Sequence, residues 1–165
     1  ALRRLGRWRV GRGFYRVPRT TACSVRPATP EDYAFLFALH RAAMRPYIET
    51  IWGWHDDWQQ EYFRRKFDPQ PRQIIQVEGR DVGVLVVEAR PDELYLSLIE
   101  LLPAYQGRGI GAAIVQALLA RAQANGVPLT LHVLKSNEPA RRLYERLGLR
   151  IVSEEKVRYR MAAPG

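Results

Sequence analysis

Leu101-Leu102-Pro103-Ala104-Tyr105-Gln106-Gly107-Arg108-Gly109-Ile110-Gly111 carries the reading that decides the fold. On its N-terminal side, Leu94–Leu102 has the apolar character of a strand. On its C-terminal side, Ile110, Ile114, Leu118 and Ala122 recur at helical spacing, and Asn125-Gly126 supplies a left-handed stop. The glycines therefore sit where a strand turns into a helix. Glycine lets the backbone turn tightly and brings its N–H groups close to a ligand. The first turn of the helix adds unpaired donors and the positive end of the macrodipole. Together these make a cradle for an anion such as a pyrophosphate, although three glycines also suffice for a plain close turn. The spacing excludes two nucleotide classes. No Gly-Lys-Ser/Thr follows the loop, so it is not a Walker motif, and a Gly-x-Gly-x-Gly pattern this late in the chain, with no acid near Val127, is not a dinucleotide fingerprint.

Working outward, Ser24–Arg26 predicts a short strand, and Thr29-Pro30-Glu31-Asp32 a helix start with a capping box. Phe35, Leu36, Leu39 and Ala43 give that helix an apolar face up to about Met44, where Pro46 is expected to stop it. Asp56 is expected to cap a second helix carrying Trp58, Tyr62 and Phe63 up to Phe67. Strands are expected at 73–77 and 82–89, joined by the turn Glu78-Gly79-Arg80-Asp81, then at 94–102 and 129–134. Asn137 caps a last helix bearing Ala140, Leu143, Tyr144 and Leu147, ended by Gly148, and strands at 149–153 and 156–161 close the chain. The order β-α-α-β-β-β-α-β-α-β-β predicts an α/β (mixed α+β) fold, one mixed sheet of about seven strands with helices on its faces.

The 165 residues suit one domain, and 47% hydrophobic residues exclude a globally disordered chain. A single cysteine, Cys23, excludes an internal disulfide and a cysteine-based zinc site. No apolar window reaches the ~18 residues of a membrane span, so a cytoplasmic protein with no membrane partner is expected. The net charge of +9 is unevenly spread: residues 1–22 hold seven arginines and no acid, while the rest holds 19 bases and 17 acids. The division is therefore a basic, disordered arm over 1–22 and a folded domain over 23–165. Nucleic acid is a partner only through that arm, whose Trp8, Phe14 and Tyr15 can stack on bases. The arm has no apolar core, which argues against a secretory signal.

The quoted stretch resembles the acetyl-CoA loop of the GCN5-related N-acetyltransferases (GNAT), Gln/Arg-x-x-Gly-x-Gly/Ala. Asn137, Ala140 and Leu143-Tyr144-Glu145-Arg146-Leu147-Gly148-Leu149 resemble the family's later Asn-x-x-Ala-x-x-x-Tyr-x-x-x-Gly-Phe motif, with Leu149 in place of the commoner Phe. Arg26-Pro27-Ala28-Thr29 is similar to its opening, and the likeness spans about Ser24 to Met161. It implies the GNAT fold with splayed fourth and fifth strands, and acetyl-CoA as co-substrate without metal. Direct transfer of the acetyl group to a primary amine follows, with no covalent enzyme intermediate, in a monomer or homodimer. Loop amides of Gly107, Arg108, Gly109, Gly111 and Ala112 would hold the pyrophosphate, with Gln106 at the entry. Ile99, Leu101 and Asn137 would contact the pantetheine arm, although Asn137 reads equally as a helix cap.

The resemblance also makes Tyr144 the proton donor to the departing thiolate; the alternative is a core tyrosine. Only a neutral amine attacks, and one with pKa ~10.4 is neutral about 0.04% of the time at pH 7, so a base is useful. His132, on the strand before Asn137, is the first candidate base, or else a strand histidine making one structural hydrogen bond. Glu100 is the second, or else a solvated glutamate near the strand end, and strand alternation puts it on one face with Leu98 and Leu102. Between the first two helices, the resemblance implies that Tyr47-Ile48-Glu49-Thr50-Ile51-Trp52-Gly53-Trp54 walls the acceptor site, with Tyr47, Glu49 and Trp52 as contacts. The alternative for Trp52 and Trp54 is that they complete the hydrophobic core. The competing reading is a nucleic-acid-binding or acyl-CoA-sensing protein that uses the arginine-rich arm beside a non-catalytic GNAT domain.

Overall fold

The computed structural model describes Phe14–Tyr15 and residues 23–165. The elements run β1 (Phe14–Tyr15), β2 (Cys23–Pro27), α1 (Tyr33–Trp52), α2 (Asp56–Lys66), β3 (Gln73–Val77), β4 (Arg80–Ala89) and β5 (Leu94–Leu101). There follow α3 (Ile110–Ala124), β6 (Leu129–Leu134), α4 (Glu138–Arg146), β7 (Arg150–Glu154) and β8 (Arg158–Ala163). The strands form one sheet in the order β1-β2-β3-β4-β5-β6-β8-β7, antiparallel except for β5 and β6. The expected order of elements holds; β1 is an additional two-residue pairing with β2. The other residues of the arm expected over 1–22 lie outside the described residues.

Helices cover both faces because β3 and β4 are apolar on both. Ile74 and Val84 pack with Leu36, Leu39 and Ala43 of α1, while their neighbours Ile75 and Leu85 pack on the face of α3. The helical stripe Ile110, Ile114, Leu118 and Ala122 is almost fully buried there. Burial of each large aliphatic side chain in it contributes roughly 1.5–3 kcal/mol. Glu78 and Gly79 take φ of 52° and 75°, the left-handed pair of a tight hairpin between β3 and β4.

Two local departures position the site. The helix expected to stop near Met44 instead runs through Pro46 to Trp52. Proline withholds the one N–H that would meet the Ala42 carbonyl, and one turn on the Thr50 hydroxyl donates to the Pro46 carbonyl (2.8 Å). A stretch expected to be a loop is thus helical, and its residues sort by helical face. The second departure is in β5. Val86 stands opposite Leu98 but Val87 opposite Leu96, so Ser97 is an extra, bulged residue. Leu94 and Leu96 face α3, whereas after the bulge Leu98 turns to α1. Glu100 follows Leu98 to that face.

Gly83 of β4 lies against this end of β5. A Cβ there would sit 2.4 Å from the Glu100 carbonyl oxygen and 2.8 Å from Leu101 Cδ2. Gly83→Ala must therefore displace β5 backbone, and overpacking of this kind costs about 1–3 kcal/mol. A fall in melting temperature of roughly 2–4 °C per kcal/mol is expected in thermal unfolding. An unchanged melting temperature would mean that β5 shifts freely.

Candidate active site

Strands β5 and β6 pair in parallel only from Leu94–Leu96 to Leu129–Leu131, and no further pairing joins them toward their C-terminal ends. A cleft of about 450 Å³ opens in that gap. One wall is β5, through Ile99, Glu100 and Leu101; another is the glycine loop and the start of α3; the third is α4 with Tyr144.

The loop takes its shape from positive φ at Gly107 (72°) and Gly109 (83°), the second being the residue just before α3. At these positions a side chain is strained. Gln106 holds the loop by donating from its side-chain amide to the Leu101 carbonyl (3.0 Å). The first helical bond runs from Ala113 N–H to Gly109 O (3.0 Å). Among the described residues, no backbone N–H from Gly107 to Ala112 donates to a protein acceptor. No acid lies in the first turn of α3 to compete for that positive end. The donors and the cleft beside them fit an elongated molecule with a diphosphate group.

Of the residues expected to hold such a ligand, Ile99, Leu101, Gln106, Gly107, Gly109, Gly111, Ala112 and Asn137 line the cleft. Arg108 is not part of its lining; its guanidinium lies over the Tyr105 ring at 5.0 Å. Asn137 caps α4, its side-chain oxygen accepting from Ala140 N–H at 3.3 Å, and also faces the cleft. Tyr144 is 7% exposed, and burial pushes its phenol up to about 12. Among the described residues its hydroxyl has no hydrogen-bond partner, although α4 carries it into the cleft wall.

A second cavity, about 740 Å³, lies between α1, α2 and the sheet. Glu100 lines both spaces and so marks where they meet. It is 5% exposed, and His40 Nδ1 lies 2.9 Å from its Oε2, giving the carboxylate the partner that burial demands. The sequence reading passed over His40. Its signal was a histidine interrupting the stripe Leu36, Leu39, Ala43 at i, i+4 from Leu36.

His132 is not brought to this junction. Its Nδ1 meets the Tyr95 hydroxyl at 2.7 Å and its Nε2 meets Glu155 at 3.2 Å, and it lines neither cavity. Burial, then Arg158, hold its imidazole below the ordinary value. Glu49 is likewise left out: the helix beyond Pro46 puts it on the outer face, with Arg45 one turn back at 3.6 Å. Ile48 and Trp52, one turn apart on the other side, wall the larger cavity, and Tyr47 reaches the smaller cleft. The Tyr47 carbonyl accepts from the Ser136 hydroxyl (2.9 Å), tying α1 to the approach of α4. Trp58 and Tyr62, which recur at helical spacing on α2, are exposed and stack on each other at the cavity wall (5.0 Å, 9°). The side chain that α2 buries is Gln59.

Comparison with known proteins agrees with this arrangement. The family described as "Acetyltransferase (GNAT) family" matches residues 35–149. A curated mycothiol acetyltransferase from Thermomonospora curvata is 35% identical over 86 residues, half of this chain but only 28% of that protein. Among solved structures, the PaiA N-acetyltransferase of Thermoplasma acidophilum, in complex with coenzyme A, superposes with a TM-score of 0.70 at 14% identity, over 87% of this chain and 99% of that one. The ribosomal-protein-S18-alanine N-acetyltransferase of Escherichia coli gives 0.57 at 21% identity, covering 86% and 93%. At such identities the likeness is one of fold.

Proposed function

The chain belongs to the acetyltransferase (GNAT) family, and from that premise we propose that it transfers an acetyl group from acetyl-CoA directly to a primary amine. The observation that carries this reading is Glu100, buried beside His40 at the one wall shared by the donor cleft and the larger cavity. The loop amides from Gly107 to Ala112 would hold the diphosphate, and the gap between β5 and β6 the pantetheine arm. Acetyl-CoA bound there supplies a thioester as acyl donor.

The residues divide the remaining work. An amine entering from the larger cavity meets Glu100, which takes its proton as the nitrogen attacks, with His40 orienting the carboxylate. Tyr144 faces the sulfur that leaves. With its phenol pushed up to about 12, above the range of thiols, full proton transfer to the departing thiolate would run uphill. Tyr144 therefore serves as a hydrogen-bond donor to the developing negative charge, and solvent completes the protonation. No alkaline limb due to Tyr144 is expected in the pH–rate profile below about pH 11.

Acetyl-CoA at 100 times its dissociation constant should add about 2.7 kcal/mol of stability, read as a rise in melting temperature. Gly109→Val should abolish that rise, because φ of 83° excludes a β-branched residue. No shift with the unaltered chain, and no heat of binding, would reject the acetyl-CoA site. The acetyl-CoA sensor alternative predicts the same shift without release of coenzyme A on any amine.

A further inference from the structure

The larger cavity is aromatic and, apart from Glu100, basic. Its wall holds one carboxylate, Glu100, against two permanent cations, Lys66 and Arg72. A polyamine or a polyamino sugar needs several acids to receive its charges, and the described lining offers one. The cations are not bystanders to the sheet. Ile74, Val84 and Glu100 lie in one row across β3, β4 and β5. Arg72, just before β3, lines the same cavity as Glu100 and is held by donating to the Asp68 carbonyl. Burial lowers its pKa from the ordinary value, with Glu100 and Asp68 opposing; a guanidinium stays protonated at neutral pH regardless. The same wall carries Trp52, Trp58 and Tyr62, which are 57%, 57% and 44% exposed. Large aromatic faces open to water at a cavity wall mark a surface that a ligand covers.

We infer that the acceptor is a monoamine bearing an anionic group on an aromatic body: the amine at Glu100, the anion at Arg72 and Lys66, and the ring on Trp52, Trp58 and Tyr62. This rests on the transferase reading given above. A carboxylate on Arg72 would be a charge-assisted pair in a half-enclosed site, and loss of such a group typically costs affinity by tenfold or more.

The test is coenzyme A release with acetyl-CoA and matched amines. Phenylalanine is set against phenethylamine, and 4-(aminomethyl)benzoate against benzylamine, with spermidine as polycation. These pairs place the carboxylate beside the amine or across the ring from it. 4-(Aminomethyl)benzoate, whose carboxylate lies across the ring from its amine, is expected to exceed benzylamine by tenfold or more in kcat/KM, chiefly through KM, and to exceed spermidine. Phenylalanine, whose carboxylate adjoins its amine, should gain less over phenethylamine. In Arg72→Gln and in the exposed-site variant Lys66→Gln the tenfold ratio should fall toward one, while Arg72→Lys retains part of it. Equal rates within both pairs, or faster turnover of spermidine, would overturn the acceptor class and leave the transferase reading standing. No release from any of these amines, despite an acetyl-CoA thermal shift, overturns the acceptor class and favours the sensor. Absence of the thermal shift itself removes the parent reading.

Discussion

Glu100→Gln is expected to lower kcat/KM by about 10²–10⁴, the range that a positioned general base contributes. The amide keeps the shape of the carboxylate and can still meet His40 Nδ1, now 2.9 Å from Oε2, so the loss reports on proton acceptance rather than on collapse of the pair. The acetyl-CoA thermal shift should persist, because on the proposed reading the loop amides from Gly107 to Ala112, rather than Glu100, hold the diphosphate. Coenzyme A release against time, at saturating acetyl-CoA, reads the effect. A second variant separates the two members of the pair. His40→Asn preserves a donor near Nδ1 and should lower the rate less than Glu100→Gln if His40 only orients the carboxylate. Retention of full activity by Glu100→Gln would move the base elsewhere and leave the junction of the two cavities without its chemical role.

The second large effect is at Tyr144. Tyr144→Phe removes a hydroxyl that has no protein partner among the described residues, so stability should change by less than about 1 kcal/mol. The rate should not be so tolerant. A hydrogen bond to a charged atom is worth about 1.5–3 kcal/mol, which is roughly 10- to 150-fold in kcat. The loss should appear in kcat with KM for acetyl-CoA little altered, since the interaction strengthens only as charge develops on sulfur. The pH dependence discriminates further. A donor held near 12 stays protonated through the working range, so wild type and Tyr144→Phe should show profiles of the same shape, displaced in height. A basic limb present in the first and missing in the second would make Tyr144 a titrating acid.

Much of the donor side was legible in the chain before folding. Gly107 and Gly109 announce positive φ, the stripe from Ile110 to Ala122 announces the helix they open, and Asn137 announces the cap of α4. These are local signals: each depends on residues within one or two turns of one another. The burial of Tyr144 was legible for the same reason, through its place on the apolar face of a short amphipathic helix, whereas its role was implied only by the resemblance to the family's motif.

The acceptor side was not legible in this way, and the misses have distinct causes. Pro46 ordinarily ends a helix, yet α1 continues to Trp52, its first half packed by Leu36, Leu39 and Ala43 against Ile74 and Val84. That continuation turned Glu49 outward and Trp52 into a wall. His132 drew attention as a histidine on a strand, but its neighbours in space, Tyr95 and Glu155, are 37 and 23 residues away in sequence.

By itself, then, the sequence determined the order of elements, the glycine-built anion cradle and the helix that presents Tyr144, because backbone conformation and amphipathic periodicity are short-range properties. Only the tertiary structure decided which candidate base stands at the junction of the two cavities. One bulged residue, Ser97, reverses the facing of β5 so that Glu100 meets His40, 60 residues away in the chain. The same long-range packing gathered Lys66, Arg72 and the exposed aromatics around one cavity. Such meetings depend on strand register and helix docking, which are set by contacts that no local window of residues contains.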